Sequence, residues 1–145
     1  MVQKFRERSN GESGFTLVEL LVVMLILGLL AAIAIPSFFN QRDKAKDADA
    51  KASVRTAQTA METYATDNDG SYLNATTARL QTIEPTLSDA PNPVVVNSAG
   101  AKDYSVTVKS DTNTTFTIAR SAAGSTTLTC APVETGGCPV GGDWG

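Results

Sequence analysis

A chain of 145 residues leaves room for one modest domain beside a membrane segment, and its 42% apolar content is densest in the first quarter. The net charge of −3, about +1 on residues 1–14 and about −4 beyond them, argues against non-specific nucleic-acid affinity as the main role. The chain has no histidine, so the commonest general base and metal ligand is missing; no triad of the usual type can be assembled, and neither an enzyme nor a cofactor or metal is expected.

Residues 1–14, MVQKFRERSNGESG, are polar and basic-leaning and read as a leader or a cytoplasmic flank. From Phe15 to Ile35 the chain is almost pure hydrocarbon. As a helix this segment is about 32 Å long, which matches a bilayer core. The positive charges precede it, which places the N-terminus in the cytoplasm and everything after Pro36 outside. Glu19 disturbs the pattern, because lipid penalises a carboxylate. Gly28 and Ala32, four apart, suit close helix approach, although membrane segments carry such small residues in any case.

From Phe38 to Thr66 neither Pro nor Gly occurs. Ala45, Ala48, Ala52, Val54, Ala57, Met61 and Tyr64 recur at three- and four-residue steps. That spacing predicts an amphipathic helix with those residues as its apolar stripe and Arg42, Lys44, Asp47, Lys51 and Arg55 largely off it. The whole is expected as one helix of about 50 residues, kinked near Pro36, apolar over 15–36 and amphipathic over 37–66. DNDG, Asp67 to Gly70, ends it, with the glycine supplying a left-handed backbone. Aligned with a calcium-binding loop, the same stretch puts Ala65 at the first ligand position, so no metal site is expected there.

Residues 67–100 read as a connecting region, in which TTARLQTIEP fits a short helix and APNPVVVN a connection or an edge strand. Over 101–145, DYSVTVKS, TFTIARS and STTLTCA alternate apolar and small polar residues, with turn chemistry at SDTNT and SAAGS. They predict an antiparallel meander followed by a Gly/Pro-rich loop. The predicted class is α+β, a long N-terminal helix laid through its amphipathic half on a small antiparallel sheet. Cys130 and Cys138 are the only cysteines and fit neither a C-x-x-C nor a zinc spacing. In an exported chain they read as one disulfide closing the C-terminal loop. Asn74 and Asn113 each open an N-x-[ST] glycosylation pattern, which so Thr-rich a chain also produces by chance.

Three readings of the N-terminus compete. Residues 1–34 can be a secretory signal cut after the small-residue site at Ala32 to Ala34, which would release a soluble secreted binding module. The segment can be a plain single-span anchor, with Glu19 near the interface. Or the chain is cut between Gly14 and Phe15 and keeps its apolar helix. Only this last reading uses Glu19: the new α-amine of Phe15 lies one helical turn away, and amine and carboxylate, each costly alone in hydrocarbon, can neutralise one another between packed neighbours.

The stretch GFTLVELLVVMLILGLLAAIAIPSF closely resembles the N-terminus of type IV pilins, a signature shared with the pseudopilins of type II secretion and DNA-uptake systems. The resemblance covers roughly residues 14–40. It implies that a membrane prepilin peptidase cleaves after Gly14 and N-methylates Phe15, that Glu19 serves assembly, and that Pro36 marks a stretch that loosens in the filament. The implied role is a structural subunit of an extracellular helical filament serving adhesion, motility or DNA uptake, with a pseudopilin as the alternative. Its implied partners are copies of itself, the inner membrane that holds the single-pass precursor, the prepilin peptidase and the assembly machinery. A nucleic-acid partner is left open but not indicated.

Overall fold

The computed structural model describes residues 14–89 and 93–145; of the expected leader, residues 1–14, only Gly14 is among them. The chain forms two compact units, Met1–Ser37 and Phe38–Gly145, and helix α1, Leu17–Asp67, contributes to both. In the first unit the apolar residues of α1 and Phe15 just before it point outward. Phe15, Met24, Leu25 and Ile33 expose 65–76% of their surface, far beyond the scattered exposed side chains of an ordinary soluble surface.

The second unit sets the C-terminal half of α1 against a four-stranded antiparallel sheet of order β1-β2-β3-β4. The strands are β1 Val94–Ala99, β2 Tyr104–Lys109, β3 Thr115–Arg120 and β4 Thr126–Ala131. Two short helices, α2 Thr77–Ile83 and α3 Thr86–Asp89, precede them. Strand alternation puts Tyr104, Val106, Val108, Phe116 and Ile118 on the inner face, where they form the core with Val54, Ala57, Met61 and Tyr64 of α1. Burying a side chain the size of Met61 stabilises the unit by about 2 kcal/mol. The opposite face carries the hydroxyls of Ser105, Thr107 and Thr117, where Thr107 and Thr117 are directly paired and hydrogen-bonded at 3.0 Å.

The helix face corrects the expected stripe. Ala45, Ala48 and Ala52 are exposed, and the buried line runs Asp47, Ala50, Val54, Ala57, Met61 and Tyr64. Alanines crowd this stretch at 45, 48, 50, 52, 57 and 60, so several helical phases fit the apolar pattern equally well. The phase adopted is the one that carries Asp47 to polar partners, described below.

At the helix end, Gly70 N–H reaches back to the Ala65 carbonyl at 2.8 Å. Asp69 shares the left-handed conformation expected of Gly70 alone, at φ 57° beside 79°; a short polar residue tolerates this region better than most. The short helix anticipated in the connecting region is α2, capped by the Thr76 side chain on the Arg79 N–H; α3 was not anticipated. The sheet starts at Val94, earlier than the expected 101, because the valine run is an edge strand. A bulge at Asn97 shifts its register against β2. Neither edge is bare: the Thr77 hydroxyl accepts the Val96 N–H of β1, and Gly142 and Trp144 bond the backbone of β4.

Candidate functional site

Gly14, Phe15 and Thr16 lie outside the helix, and Thr16 caps it. Its Oγ1 accepts the Glu19 N–H at 3.2 Å while its carbonyl accepts the Leu20 N–H at 3.2 Å. Thr16 and Glu19 therefore stand at the Ncap and N3 positions of a capping-box sequence. A carboxylate in the first turn also suits the positive end of the helix dipole. This local role for Glu19 was not anticipated, although its signal, Thr-x-x-Glu ahead of an apolar run, is plain in the sequence. Beyond it follows a helical stretch long and apolar enough to cross a membrane, none of whose apolar window is buried. Pro36 lies inside α1 without ending it. Having no N–H, it cannot bond the Ala32 carbonyl one turn back.

In the second unit the polar centre is Asp47, which has no exposed surface. Its carboxylate accepts the Gly137 N–H at 2.6 Å and the Thr112 hydroxyl, while Lys51, one turn on, donates to the Gly137 carbonyl at 2.7 Å. The loop between Cys130 and Cys138, which are disulfide-bonded, is thereby fastened to α1 through both backbone polar groups of Gly137. Glycine is required here. Gly136 has φ 53°, and a Cβ there would collide with the Asp47 carboxylate; one at Gly137 would come within 2.9 Å of Asp47 Cβ. The Lys51 ammonium also lies over the Phe116 and Trp144 rings, at 5.3 and 5.6 Å. Position in a charged run gave no hint that Asp47 would be buried.

A second cluster centres on Glu62, which accepts from Tyr72 at 2.8 Å and Tyr104 at 3.0 Å and faces Arg120 at 3.6 Å. Burial, reinforced by the Glu62 carboxylate, pushes both phenols above their ordinary value of 10.0. The unfolded chain releases these protons near pH 10 and the folded chain only higher. Their stabilising contribution is therefore complete below pH 10 and lost above it, at up to about 1.4 kcal/mol per pH unit for each phenol. In an alkaline titration followed by circular dichroism and phenolate absorbance, these two tyrosines should ionise at higher pH in the folded chain than in the unfolded one. Ionisation of both in a still-folded sheet at or below pH 10 would contradict the arrangement.

Nearby, a cleft of about 240 Å³ is lined by Gly70, Tyr72, Lys102, Arg120 and the β3–β4 turn residues Ala122 to Gly124, with two cations and no carboxylate in its lining. Asn74 and Asn113 occupy separate turns at φ 65° and 71°, which gives each asparagine a backbone role independent of any glycan. Among the described residues no cluster of three or more His, Cys, Asp or Glu is placed to hold a metal.

Comparison with known proteins follows the same division of the chain. Residues 9–35 match the prokaryotic N-terminal methylation motif, and residues 36–134 match the family described as type IV minor pilin ComP, DNA uptake sequence receptor. The chain is similar to the type IV major pilin protein PilA of Myxococcus xanthus, 38% identical over 68 residues covering 47% of this chain and 30% of PilA. It is 42% identical over 57 residues to the type II secretion system core protein G of Pseudomonas aeruginosa, covering 39% and 40%. Competence protein ComGC of Halalkalibacterium halodurans is 36% identical over 58 residues, covering 40% and 57%. The chain thus spans well under two thirds of each relative's length. The ComP model, by contrast, takes in more than half of this chain and includes the sheet, and the protein belongs to that family of type IV minor pilins.

Proposed function

We propose that this chain is a prepilin that matures into a structural subunit of a type IV pilus filament. Leader removal after Gly14 frees Phe15 for N-methylation. Residues 15–36 then hold the precursor in the inner membrane until the assembly machinery draws the helix into an extracellular bundle. The observation that carries this reading is an uncovered apolar helix with a carboxylate in its first turn. In hydrocarbon the Phe15 amine and Glu19 are each costly alone, and a neighbour offset along the axis lets one subunit's carboxylate meet the next subunit's amine. Pro36, which cannot complete the helical ladder, is the point where the helix loosens.

The intact mass and N-terminal sequence of the mature protein test this directly. A chain beginning at Phe15 and heavier by one methyl group is expected. A chain beginning at Ile35 would mean a discarded signal peptide and would end the pilin reading of this molecule.

A second reading, duplex DNA as something the filament contacts, is supported by the family match over the sheet domain and by the cation-lined cleft beside Lys102 and Arg120. Retention of labelled duplex by purified filaments should then fall steeply with salt, and Lys102→Ala should lower the salt slope by about one. Retention that ignores salt or the substitution would dismiss this cleft as a DNA contact.

A further inference from the structure

We infer that Thr16 is a positioning residue for leader removal: by capping α1 it keeps the Gly14–Phe15 peptide bond outside the helix and open to the peptidase. The inference rests on the processing reading above and assigns a task to a side chain that reading does not use.

The physical conflict lies in the sequence itself. In a low-dielectric surrounding every unpaired backbone N–H is costly, so an apolar helix gains by continuing N-terminally until its first donors are satisfied. A peptidase needs its scissile bond exposed and free of the helical ladder. Hydrolysis breaks the Gly14–Phe15 C–N bond, leaving a carboxylate on Gly14 and an amine on Phe15, and a bond wound into a helix offers neither face to water. The cap resolves the conflict. Thr16 Oγ1 takes the Glu19 N–H, one of the four donors that would otherwise call for another turn. The helix begins at Leu17, and Gly14 and Phe15 remain non-helical and exposed, Phe15 by 76%. Gly14 helps, since glycine is a poor helix former.

The test compares initial rates of leader removal for the full-length precursor in its membrane, with the purified prepilin peptidase, across Thr16→Ser, Thr16→Asn, Thr16→Val and Thr16→Ala. Valine matches threonine in shape but offers no acceptor, whereas asparagine differs in shape and caps well. Rates should follow capping strength: Ser and Asn near the parent, Val and Ala slower by about fivefold. Amide exchange read on the same precursors should show slower exchange at Phe15 and Thr16 positions in the Val variant, as the helix grows past them. A Val variant cut at the parent rate, or an order that follows side-chain shape with Asn slowest, would overturn the assignment. If the parent itself is uncut, or is cut before Ile35, the processing reading has failed and takes this inference with it. That result is distinct, because the unsubstituted chain already shows it. The sheet domain's core contains none of the substituted atoms, so folding of the second unit serves as the internal control.

Discussion

Glu19→Ala should yield a chain that inserts, is cut at Phe15 and folds its sheet, yet leaves almost no filament. The local cost is small: alanine is the best helix former, and loss of a first-turn carboxylate costs about 0.5 kcal/mol through the dipole. The hydrogen bond from Thr16 survives, because it uses the Glu19 backbone rather than the side chain. On the packing proposed above, what disappears is the partner for a neighbouring Phe15 amine, which would become a lone charge in hydrocarbon at every contact of the bundle. A penalty repeated at each subunit addition compounds along a polymer, so sheared filament should drop by at least about tenfold while the membrane pool stays normal. Glu19→Gln, which keeps the shape and loses the charge, should behave like the alanine variant. Abundant filaments from either variant, quantified against the membrane fraction, would remove the register role.

Asp47→Ala is the substitution expected to damage the second unit most. It strips the acceptor from the part-buried Gly137 N–H and from the Thr112 hydroxyl, and loosens the loop whose Gly137 carbonyl holds the Lys51 ammonium. Breaking a buried charged network costs about 3 kcal/mol, a large part of the stability of so small a domain. Asp47→Asn retains one acceptor and should lose about half as much. The measurement is the denaturant midpoint of the detergent-solubilised mature chain at unchanged slope, together with protease susceptibility in the loop between the cysteines. A loss under about 1 kcal/mol with an intact loop would show that the disulfide alone holds it in place.

Legibility of the sequence differed by segment for identifiable reasons. The apolar run and Glu19 could be read because hydrocarbon leaves few alternatives at bilayer length. The strands β2 to β4 could be read because small hydroxyls alternate strictly with Tyr104, Val106, Phe116 and Ile118. The paired cysteines followed from their number and the export pattern. Asp47 did not, because its burial depends on a glycine pair ninety residues away, Gly136 and Gly137, and no local pattern records that. The helical phase went astray with it: alanine is too small and too frequent here to distinguish one face from another. The valines of β1 were ambiguous because a flanking proline at 93 and a bulge at Asn97 blur an edge strand into a connection. The capping role of Thr16 was readable and was obscured by the more conspicuous problem of a charge in lipid.

The partly capped sheet edges have a consequence for how such a domain meets its neighbours. A protein gathered densely in one plane before it polymerises has neighbours pressed against it in every orientation, and open strands would let them zip together wherever they met. Here the Thr77 hydroxyl and the bulge interrupt one edge, and the Gly142–Trp144 tail occupies part of the other. Among the described residues the largest exposed apolar surface is the N-terminal half of α1. The domain is thus defined as much by the contacts its edges refuse as by those its core makes.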